Sequence, residues 1–410
     1  MSDKLKTAVI FTAMLIIFGG IAVAIYFEAS DFIARAGHEA PPHVEAFFPA
    51  LESGLAIYGN DNEICPENLY EYPYNNNGEY HRPYEYENRE PEIYEPVYYV
   101  PEPLCNIVTI TVSAAGDATL GGDRRWAGYH AFMREFENSG RDHSHFLRNV
   151  AHIFYESCLS IVNLEGTLTY AYEHIDKEFA FRGPPHFAQI LSSSYVDAVT
   201  ISNNHTIDFG QQGYQDTVNA LRAEDIVYFG NEFKTIMEVN GIAVGMFGYR
   251  IWGDTADNRD RIRAAVTYLQ DRGAQLIIAY YHWGVERENR PEQYQINIGR
   301  FSIQNGVDLV LGAHPHVIQG IEEYMGRFIV YSLANFSFGG NANPPDQDSF
   351  IFQQTFSFDD GVLLPTIDKN VIPVFVSAVR YRNNFQPTVA EGADGERILA
   401  RIELYSEWLR

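Results

Sequence analysis

The chain has 410 residues, of which 46% are hydrophobic and 20% are charged, a composition typical of a globular protein with a substantial core. Its formal net charge of −25 argues against nucleic-acid binding, which requires clustered Lys and Arg to displace counterions. The same charge disfavours adsorption to an anionic membrane surface. The length allows one large domain with appendages, or two domains.

The N-terminal region contains a hydrophobic segment that predicts a membrane anchor. Residues 8–27 carry no charged side chain, and at 1.5 Å per residue they span a hydrocarbon core of about 30 Å. Lysines precede the segment and acidic residues follow it, so the positive-inside rule places residues 1–7 in the cytoplasm. We therefore expect a single-pass cell-membrane protein with an extracytoplasmic C-terminal domain. A cleaved signal peptide is the alternative, disfavoured by the long segment and the absence of an A-x-A-like site.

Residues 28–105 have a composition that predicts a spacer rather than a folded core. They hold 16 acidic residues against three arginines, and nine tyrosines are interleaved with Glu, Asn and Pro in residues 60–104. Burial of so few apolar side chains would not compensate for the conformational entropy that the chain loses on folding. We therefore expect an extended or disordered segment. The alternative is a Tyr-rich segment that contacts wall polymer or a partner. Outside the cell Cys65 and Cys105 could pair, and free thiols are an equal alternative.

From residue 106 the sequence alternates strand-like and helix-like stretches, which predicts an α/β domain. The first strand, "NIVTITVSAAGD", is expected to stop at Gly116-Asp117, and Cys158 lies in a helix-like stretch. Residues 106–345 are predicted to form the domain core, which the strands and C-terminal helix of residues 346–410 complete. The further predicted strands are "CLSIVNLEG", "VDAVTISNNH", "GIAVGMFGY", "AQLIIAYYHWG", "GVDLVLGAHPH" and "RFIVYSLANF", and the helices include "GYQDTVNALRAE" and "NRDRIRAAVTYLQDRG".

Potential metal ligands follow five of these strands. In α/β sheets, ligands bind beyond the carboxyl ends of the strands. Carboxylate, imidazole and amide oxygen together suit divalent Mn, Fe, Zn or Co, and two adjacent ions need a shared carboxylate. The sequence therefore predicts a site for one or two divalent metal ions. The residues at these strand ends are Asp117, Glu165, Asn204 with His205, His282, and His314 with His316.

Other catalytic classes lack their motifs. A serine hydrolase needs a nucleophile elbow, and the sequence has no G-x-S-x-G. It also has neither a P-loop nor a G-x-G-x-x-G after a strand, so the two common phosphate cradles are excluded.

Seven short motifs follow one another along the chain: "GDATLGGD", "NLEGTLT", "AFRGPP", "VTISNNHTIDFG", "YYHWGVE", "GAHPHVIQG" and "FIVYSLANFSFG". In this order they resemble the bacterial capsule-synthesis, CapA-type (poly-γ-glutamate) proteins, a branch of the calcineurin-like metallophosphoesterases. The resemblance covers residues 107–340. It implies an α/β fold of two packed mixed β-sheets flanked by helices, here preceded by one transmembrane helix and a spacer.

The resemblance also implies roles for the strand-end residues. Glu165 takes the place of a bridging carboxylate, and His205 that of a general acid. Thr119 stands where the superfamily has a metal-binding His, and Glu165 replaces its bridging Asp, so a single tightly held metal is an alternative to two. The implied metal ligands are Asp117, Glu165, Asn204, His282 and His314, with His316 assigned to the other metal.

Further polar residues near these motifs are candidates for supporting roles. Asp208 is expected to orient His205, and Glu286 to orient His282 by a hydrogen bond. Arg182 is suited to bind a carboxylate or phosphate, with bracing of the fold as its alternative role. The predicted substrate-binding residues are Arg182, Asn203, Glu286 and Gln319, and the weaker candidates near these motifs are Asn163 and Gln319.

Together these features predict a membrane-anchored, extracytoplasmic, metal-dependent hydrolase. The resemblance implies a role in the biosynthesis, export or release of a poly-γ-glutamate-like anionic envelope polymer, with chemistry on its amide bonds. That polymer and other membrane-bound capsule synthesis or export subunits are the expected partners, and nucleic acid is not. Two alternatives are a non-catalytic polymer-binding scaffold for export and a metallophosphodiesterase.

Overall fold

The computed structural model of this chain describes residues 57–59, 107–365 and 368–410. The predicted cytoplasmic N-terminus, the predicted anchor and nearly all of the predicted spacer, including Cys65 and Cys105, lie outside these residues. Within the described ranges, no helix combines the length and apolar character that crossing a bilayer requires. Ile57–Gly59, inside the range assigned to the spacer, form a β-strand.

Strands and helices alternate along most of the described chain. The strands are β1 (Ile57–Gly59), β2 (Ile107–Thr119), β3 (Leu159–Leu164), β4 (Thr167–Leu168), β5 (Arg182–Gly183), β6 (Ala198–Thr200), β7 (Val227–Phe229), β8 (Thr235–Val239), β9 (Ile242–Ile251), β10 (Leu276–Trp283), β11 (Leu309–Ala313), β12 (Ile321–Tyr324), β13 (Arg327–Val330), β14 (Asn335–Phe338), β15 (Asp348–Asp359), β16 (Val362–Leu363), β17 (Asp368–Phe375) and β18 (Thr388–Val389). The helices are α1 (Ala127–Asn138), α2 (Ala151–Tyr155), α3 (Ala188–Ser192), α4 (Gly210–Ala223), α5 (Ala256–Gln270), α6 (Gln293–Gln304) and α7 (Gly392–Glu407).

The strands form two large mixed sheets and one small sheet. The first sheet has the order β1-β8-β9-β10-β11-β13-β12. The second has the order β18-β17-β15-β2-β3-β6-β7, with β14 paired to β2 and β16 to β15. Strands β2, β3, β6 and β7 are parallel, as are β9, β10 and β11, so within each group the carboxyl ends lie at one edge. Strands β4 and β5 pair with each other.

The two large sheets pack face to face, and helices cover their outer faces. Side chains of both sheets, such as Val112 and Leu311, share one buried core. Helices α1 to α4 pack on the other face of the second sheet, and α5 and α6 on the other face of the first. This arrangement confirms the predicted α/β class of packed mixed sheets flanked by helices.

The C-terminal residues belong to the same core. Strand β15 lies between β2 and β17 in the second sheet, and α7 packs on β12 and β17. Ile398 and Ile402 of α7 are buried in the core that the two sheets share. Burial of one such side chain stabilises the fold by about 1.5–3 kcal/mol, so these residues contribute directly to its stability.

Most local predictions are confirmed, and two are wrong in detail. All seven predicted strands from residue 106 to 345 are present, but the first runs to Thr119, past its expected end at Gly116-Asp117. A register shift between Ala115 and Asp117 lets β2 continue while still pairing with β3. Cys158 lies between α2 and β3 rather than in a helix, and it is disulfide-bonded.

Candidate metal centre

The carboxyl ends of strands from both sheets bring the predicted ligands together. Asp117 lies near the end of β2, and Glu165 directly follows β3. Asn204 and His205 lie in the turn after β6, and His282 is near the end of β10. His314 and His316 follow β11. Residues separated by up to about 200 positions thus surround one point between the sheets.

Glu165 is at the centre of this group. Its carboxylate is fully buried, and neither oxygen has a hydrogen-bond partner among the described residues. Oε1 lies 3.7 Å from Nε2 of His282 and 3.9 Å from Nε2 of both His205 and His316. Burial, reinforced by the charge of Asp117, raises the pKa of Glu165 well above its usual value. A buried carboxylate without a partner is costly, so this environment fits a bound cation.

The His314-Pro315-His316 turn presents two imidazoles to that carboxylate. Both histidines have left-handed backbone conformations, with φ of 96° and 58°, which cost about 1–3 kcal/mol each and are typical of functional sites. Nδ1 of His314 is buried and has no hydrogen-bond partner within the described ranges. Burial, aided by His316, lowers the pKa of His314 to about 3, so it stays neutral, the form that binds metal.

His316 is oriented by the carboxylate at the end of β2. Its Nδ1 lies 3.0 Å from Oδ2 of Asp117 and 3.0 Å from Oδ1 of Asn335, so this nitrogen donates and Nε2 faces Glu165. Burial lowers the pKa of His316, but the carboxylates of Glu165 and Asp117 outweigh it and raise the pKa to about 10. Ligand atoms of Glu165, His314 and His316 lie within 4.8 Å of one another. These three residues could therefore hold one ion, and the assignment of His314 and His316 to separate metals stays a prediction.

Asn204 and His282 form the opposite side of the group. Oδ1 of Asn204 lies 2.8 Å from Nε2 of His282, and Asn163 donates its amide to Nδ1 of His282 at 3.3 Å. Asn163 also donates to Asp117 at 2.7 Å. Burial, with the nearby His314, lowers the pKa of His282 well below its usual value. Neutral imidazole, amide oxygen and carboxylate together match the ligands expected for Mn, Fe, Zn or Co.

His205 is held on two sides. Its Nδ1 lies 2.6 Å from Oδ2 of Asp208, and its ring stacks on Phe181 with a centroid separation of 4.0 Å. Burial lowers the pKa of His205 despite the hydrogen bond to Asp208, which favours the charged form. Because Nδ1 donates to Asp208, Nε2 is the atom directed towards Glu165. Asp208 thus has the orienting contact expected of it.

Comparison with known proteins identifies the family. Residues 111–340, more than half of the chain, match the family described as bacterial capsule synthesis protein PGA_cap. The chain belongs to this family.

Individual relatives are more distant. The chain is 27% identical over 189 residues to the capsule biosynthesis protein CapA of Bacillus anthracis, covering 41% of this chain and 46% of that protein. It is 27% identical over 197 residues to the PGA biosynthesis protein CapA of Bacillus subtilis, covering 43% of this chain and 52% of that protein. The chain therefore spans about half the length of the curated relatives it matches. A hypothetical protein from Thermus thermophilus aligns with a TM-score of 0.39 at 15% identity, over 64% of this chain and 99% of that one.

Three of the predicted substrate-binding residues of this PGA_cap protein use their polar atoms within the fold. Arg182 donates to the carbonyl of Ala171. Asn203 donates to Leu164 and Asn163 and accepts from the backbone of His205. Gln319 is fully buried, donates to the carbonyl of Glu288 and accepts from Gln295. These contacts brace the loops around the centre, and a role in substrate binding stays a prediction.

The expected hydrogen bond from Glu286 to His282 is wrong. Both ring nitrogens of His282 face asparagines instead, Asn163 and Asn204. Strand β10 ends at Trp283 and the chain turns at Gly284, with φ of 88°, which leaves the side chain of Glu286 exposed. Its charge still acts on the centre, since it raises the pKa of both Glu165 and His316.

Other residues at the centre were not identified from the sequence. Asn335 lies at the start of β14 and within the quoted motif "FIVYSLANFSFG", and that motif was the available signal. Trp252 is half-exposed, with its ring 4.8 Å from that of His314. Lys177 lies in a segment without helix or strand and carried no sequence signal. Thr119, which the sequence does single out as the residue where the resemblance implies a His, donates its hydroxyl to the backbone carbonyl of Glu165 at 2.8 Å.

Proposed function

We propose that this protein is a membrane-anchored, extracytoplasmic, metal-dependent hydrolase that cleaves amide bonds of a poly-γ-glutamate-like envelope polymer. The observation that supports hydrolysis is the buried Glu165 carboxylate, which has no hydrogen-bond partner in the described ranges and faces three imidazole Nε2 atoms. Membership of the PGA_cap family supports the choice of a capsule polymer. The names of the Bacillus relatives point to the same process.

Glu165, His314 and His316 would hold the ion, with Asp117, Asn204 and His282 beside them. His316, whose pKa the two carboxylates raise to about 10 in the metal-free centre, would release its Nε2 proton when it binds the ion. A divalent ion there supplies Lewis acidity towards an oxygen of the substrate. His205 would move the proton. With Nδ1–H donated to Asp208, neutral His205 has a free lone pair on Nε2. It can take a proton from the attacking water and return it to the leaving nitrogen, so water adds across the C–N bond.

The acidic composition of the chain is compatible with a polyanionic substrate. Residues 28–105 carry 16 acidic residues against three arginines, about half of the excess negative charge, and they precede the domain that holds the centre. Repulsion between exposed charges is screened beyond about 8 Å at physiological ionic strength. A divalent ion also adds positive charge where the polymer would react.

Two features support the extracytoplasmic location. The uncharged segment at residues 8–27 is long enough to anchor the chain with its C-terminal part outside. Cys158 is disulfide-bonded, and disulfides persist in oxidising compartments outside the cytosol. An anchored position would bring the protein close to other membrane-bound capsule synthesis or export subunits.

The proposal is tested by metal content and polymer length on the purified full-length protein. Elemental mass spectrometry should find about one equivalent of transition metal in the wild type and a loss in the His314→Ala/His316→Ala variant. Poly-γ-glutamate incubated with the wild type should shorten, and His205→Ala should abolish shortening while retaining metal. Unchanged polymer with a metal-loaded wild type would favour the scaffold, and turnover of a phosphodiester instead would favour the phosphodiesterase.

A further inference from the structure

The segment between β4 and β5 folds back against the catalytic histidine. Residues 169–181 contain no helix or strand, and their ends are adjacent because Thr167 pairs with Arg182. Two backbone amides of this segment bind Asp208: Ile175 donates to its carbonyl at 2.9 Å, and Phe181 donates to Oδ2 at 2.6 Å. The segment is therefore fastened to the residue that orients His205.

Lys177 makes the charged contact between this segment and the centre. Its Nζ lies 2.7 Å from Oδ1 of Asp208, 2.9 Å from the carbonyl of Asn204 and 3.3 Å from Nδ1 of His205. The Asp208 side chain is fully buried, whereas that of Lys177 is 22% exposed. A single ammonium thus contacts three residues of the turn that carries the predicted ligand Asn204 and the predicted proton carrier His205.

We propose that Lys177 is a positioning residue for the reaction at this centre, acting on His205 through Asp208. This inference rests on the proposed function. The two oxygens of Asp208 have separate partners: Oδ2 accepts from His205 and Phe181, and Oδ1 accepts from Lys177. Within the described part of the chain no other donor reaches Oδ1. Without Lys177, Oδ1 of Asp208 is buried without a donor, and only the Phe181 amide and His205 itself hold the carboxylate, so the acceptor that positions the His205 ring is less firmly fixed.

The Asp208 carboxylate that Lys177 holds fixes the tautomer of His205. An ammonium only donates hydrogen bonds, and a carboxylate only accepts them. If Nδ1 were unprotonated, two acceptors would face each other at the 2.6 Å separation between His205 and Asp208. The proton therefore lies on Nδ1, and the ammonium stabilises the carboxylate that receives it. A buried carboxylate deprived of its cation is strongly disfavoured, so loss of Lys177 weakens the acceptor itself.

The contacts require a compact cation at this position. Lysine carries a point charge with three donors on a flexible stem, whereas the arginine fork suits planar bidentate acceptors. The acceptors here, Oδ1 of Asp208 and the carbonyl of Asn204, belong to different residues. Lys177→Arg should therefore rescue the positioning in part, and Lys177→Met should abolish it while preserving the apolar stem.

The test combines nuclear magnetic resonance with kinetics on the full-length protein labelled with 15N-histidine. The His205 resonances are assigned from their loss in His205→Gln. The wild type should show a protonated Nδ1 with a low-field proton signal, which Lys177→Arg weakens and Lys177→Met removes. Lys234→Met is the matched control, since this lysine contacts the Glu232 carbonyl and the Tyr268 ring instead. Metal content should be unchanged in all Lys variants.

Each outcome is decisive for the positioning role. With poly-γ-glutamate, Lys177→Met should lower kcat by about 10–100-fold with little change in KM, and Lys177→Arg should recover part of the loss. An unchanged Nδ1–H signal in Lys177→Met, or its absence in the wild type, would overturn the inference. If no polymer is cleaved by the wild type, the proposed function fails, but the resonance still decides whether Lys177 positions His205.

Discussion

Gly116 lies directly against the backbone carbonyl of Ala334. A Cβ atom at Gly116 would stand 1.9 Å from that oxygen, far inside van der Waals contact. The next residue, Asp117, donates its backbone amide to the same oxygen at 2.9 Å. This close approach joins β2 to the segment before β14 and places Asp117 beside His316. The shape of the centre therefore depends on the absence of a side chain at Gly116.

Replacement of this glycine should disrupt both the fold and the centre. Gly116→Ala is expected to lower the free energy of unfolding by about 3 kcal/mol or more, because the clash is with backbone that has no room to move. Urea denaturation followed by circular dichroism measures the loss. Gly253→Ala is the control, where the nearest atom is 3.9 Å away and the change should stay within about 0.5 kcal/mol. Equal stabilities of the two variants would contradict this account of Gly116.

Removal of the Glu165 charge should have opposite effects on metal binding and on the metal-free protein. Burial and the charge of Asp117 raise the pKa of Glu165, so its ionisation destabilises the metal-free fold as the pH rises. Glu165→Gln should therefore make the chelated protein more stable than the chelated wild type at neutral pH. The metal affinity of Glu165→Gln should fall. Loss of an outer-shell partner lowers metal affinity by about 10–100-fold, and the fall on loss of a ligand should be larger.

Thermal unfolding with and without chelator, together with elemental analysis, checks both parts. Glu286→Gln is the matched control because this carboxylate is exposed near the same centre. It should keep its metal. A Glu165→Gln variant that binds metal as the wild type does would exclude Glu165 as a ligand.

Asp197 should make stability depend on pH. Burial raises the pKa of Asp197 to about 6 from 3.8, although Ser160 donates to its carboxylate through N at 2.8 Å and Oγ at 2.6 Å. The folded state binds the proton of the Asp197 carboxyl more tightly than the unfolded chain does. The stabilisation from this protonation is therefore full below pH 3.8 and is lost as the pH rises through about 6. At 1.36 kcal/mol per pH unit the loss is about 3 kcal/mol.

Asp197→Asn should abolish this loss. Urea denaturation at several pH values between about 4 and 7 gives the free energy of unfolding of both proteins. As the pH rises, that of the variant should increase steadily relative to that of the wild type. Asp368→Asn provides the comparison, because this carboxylate is exposed at the start of β17. Parallel stability profiles for the wild type and Asp197→Asn would show that Asp197 does not titrate in this range.

The anchoring of α7 should depend on Asp348. Its carboxylate is nearly buried and accepts hydrogen bonds from Arg397 at 2.5 Å and from Arg401 at 2.8 Å. Asp348→Asn leaves both guanidinium groups without their shared anion and should lower the free energy of unfolding by about 1–2 kcal/mol. Glu403 and Arg410 form an exposed ion pair, which serves as the control. Glu403→Gln should change the free energy of unfolding by less than about 0.5 kcal/mol. Similar losses in both variants would argue against a special role for Asp348.

The elements were largely predictable because their signals are local. Strand β11 and the turn after it follow from an apolar run that ends at Gly312-Ala313, and α5 from its apolar periodicity. The end of β2 was misplaced because a glycine and an aspartate normally mark a turn. Here the carbonyl of Ala334, more than 200 positions away, accommodates the strand instead.

The sequence by itself determined the α/β class, the membership of the family and the residues at the strand ends, since these depend on short-range patterns and on motif order. Only the tertiary structure decided that His314 and His316 face one carboxylate, that Asn163 and Asn335 orient the imidazoles, and that Lys177 reaches Asp208. These contacts join loops far apart in the chain. Their geometry depends on how two sheets pack and where each connecting segment returns, which no local pattern of residues specifies.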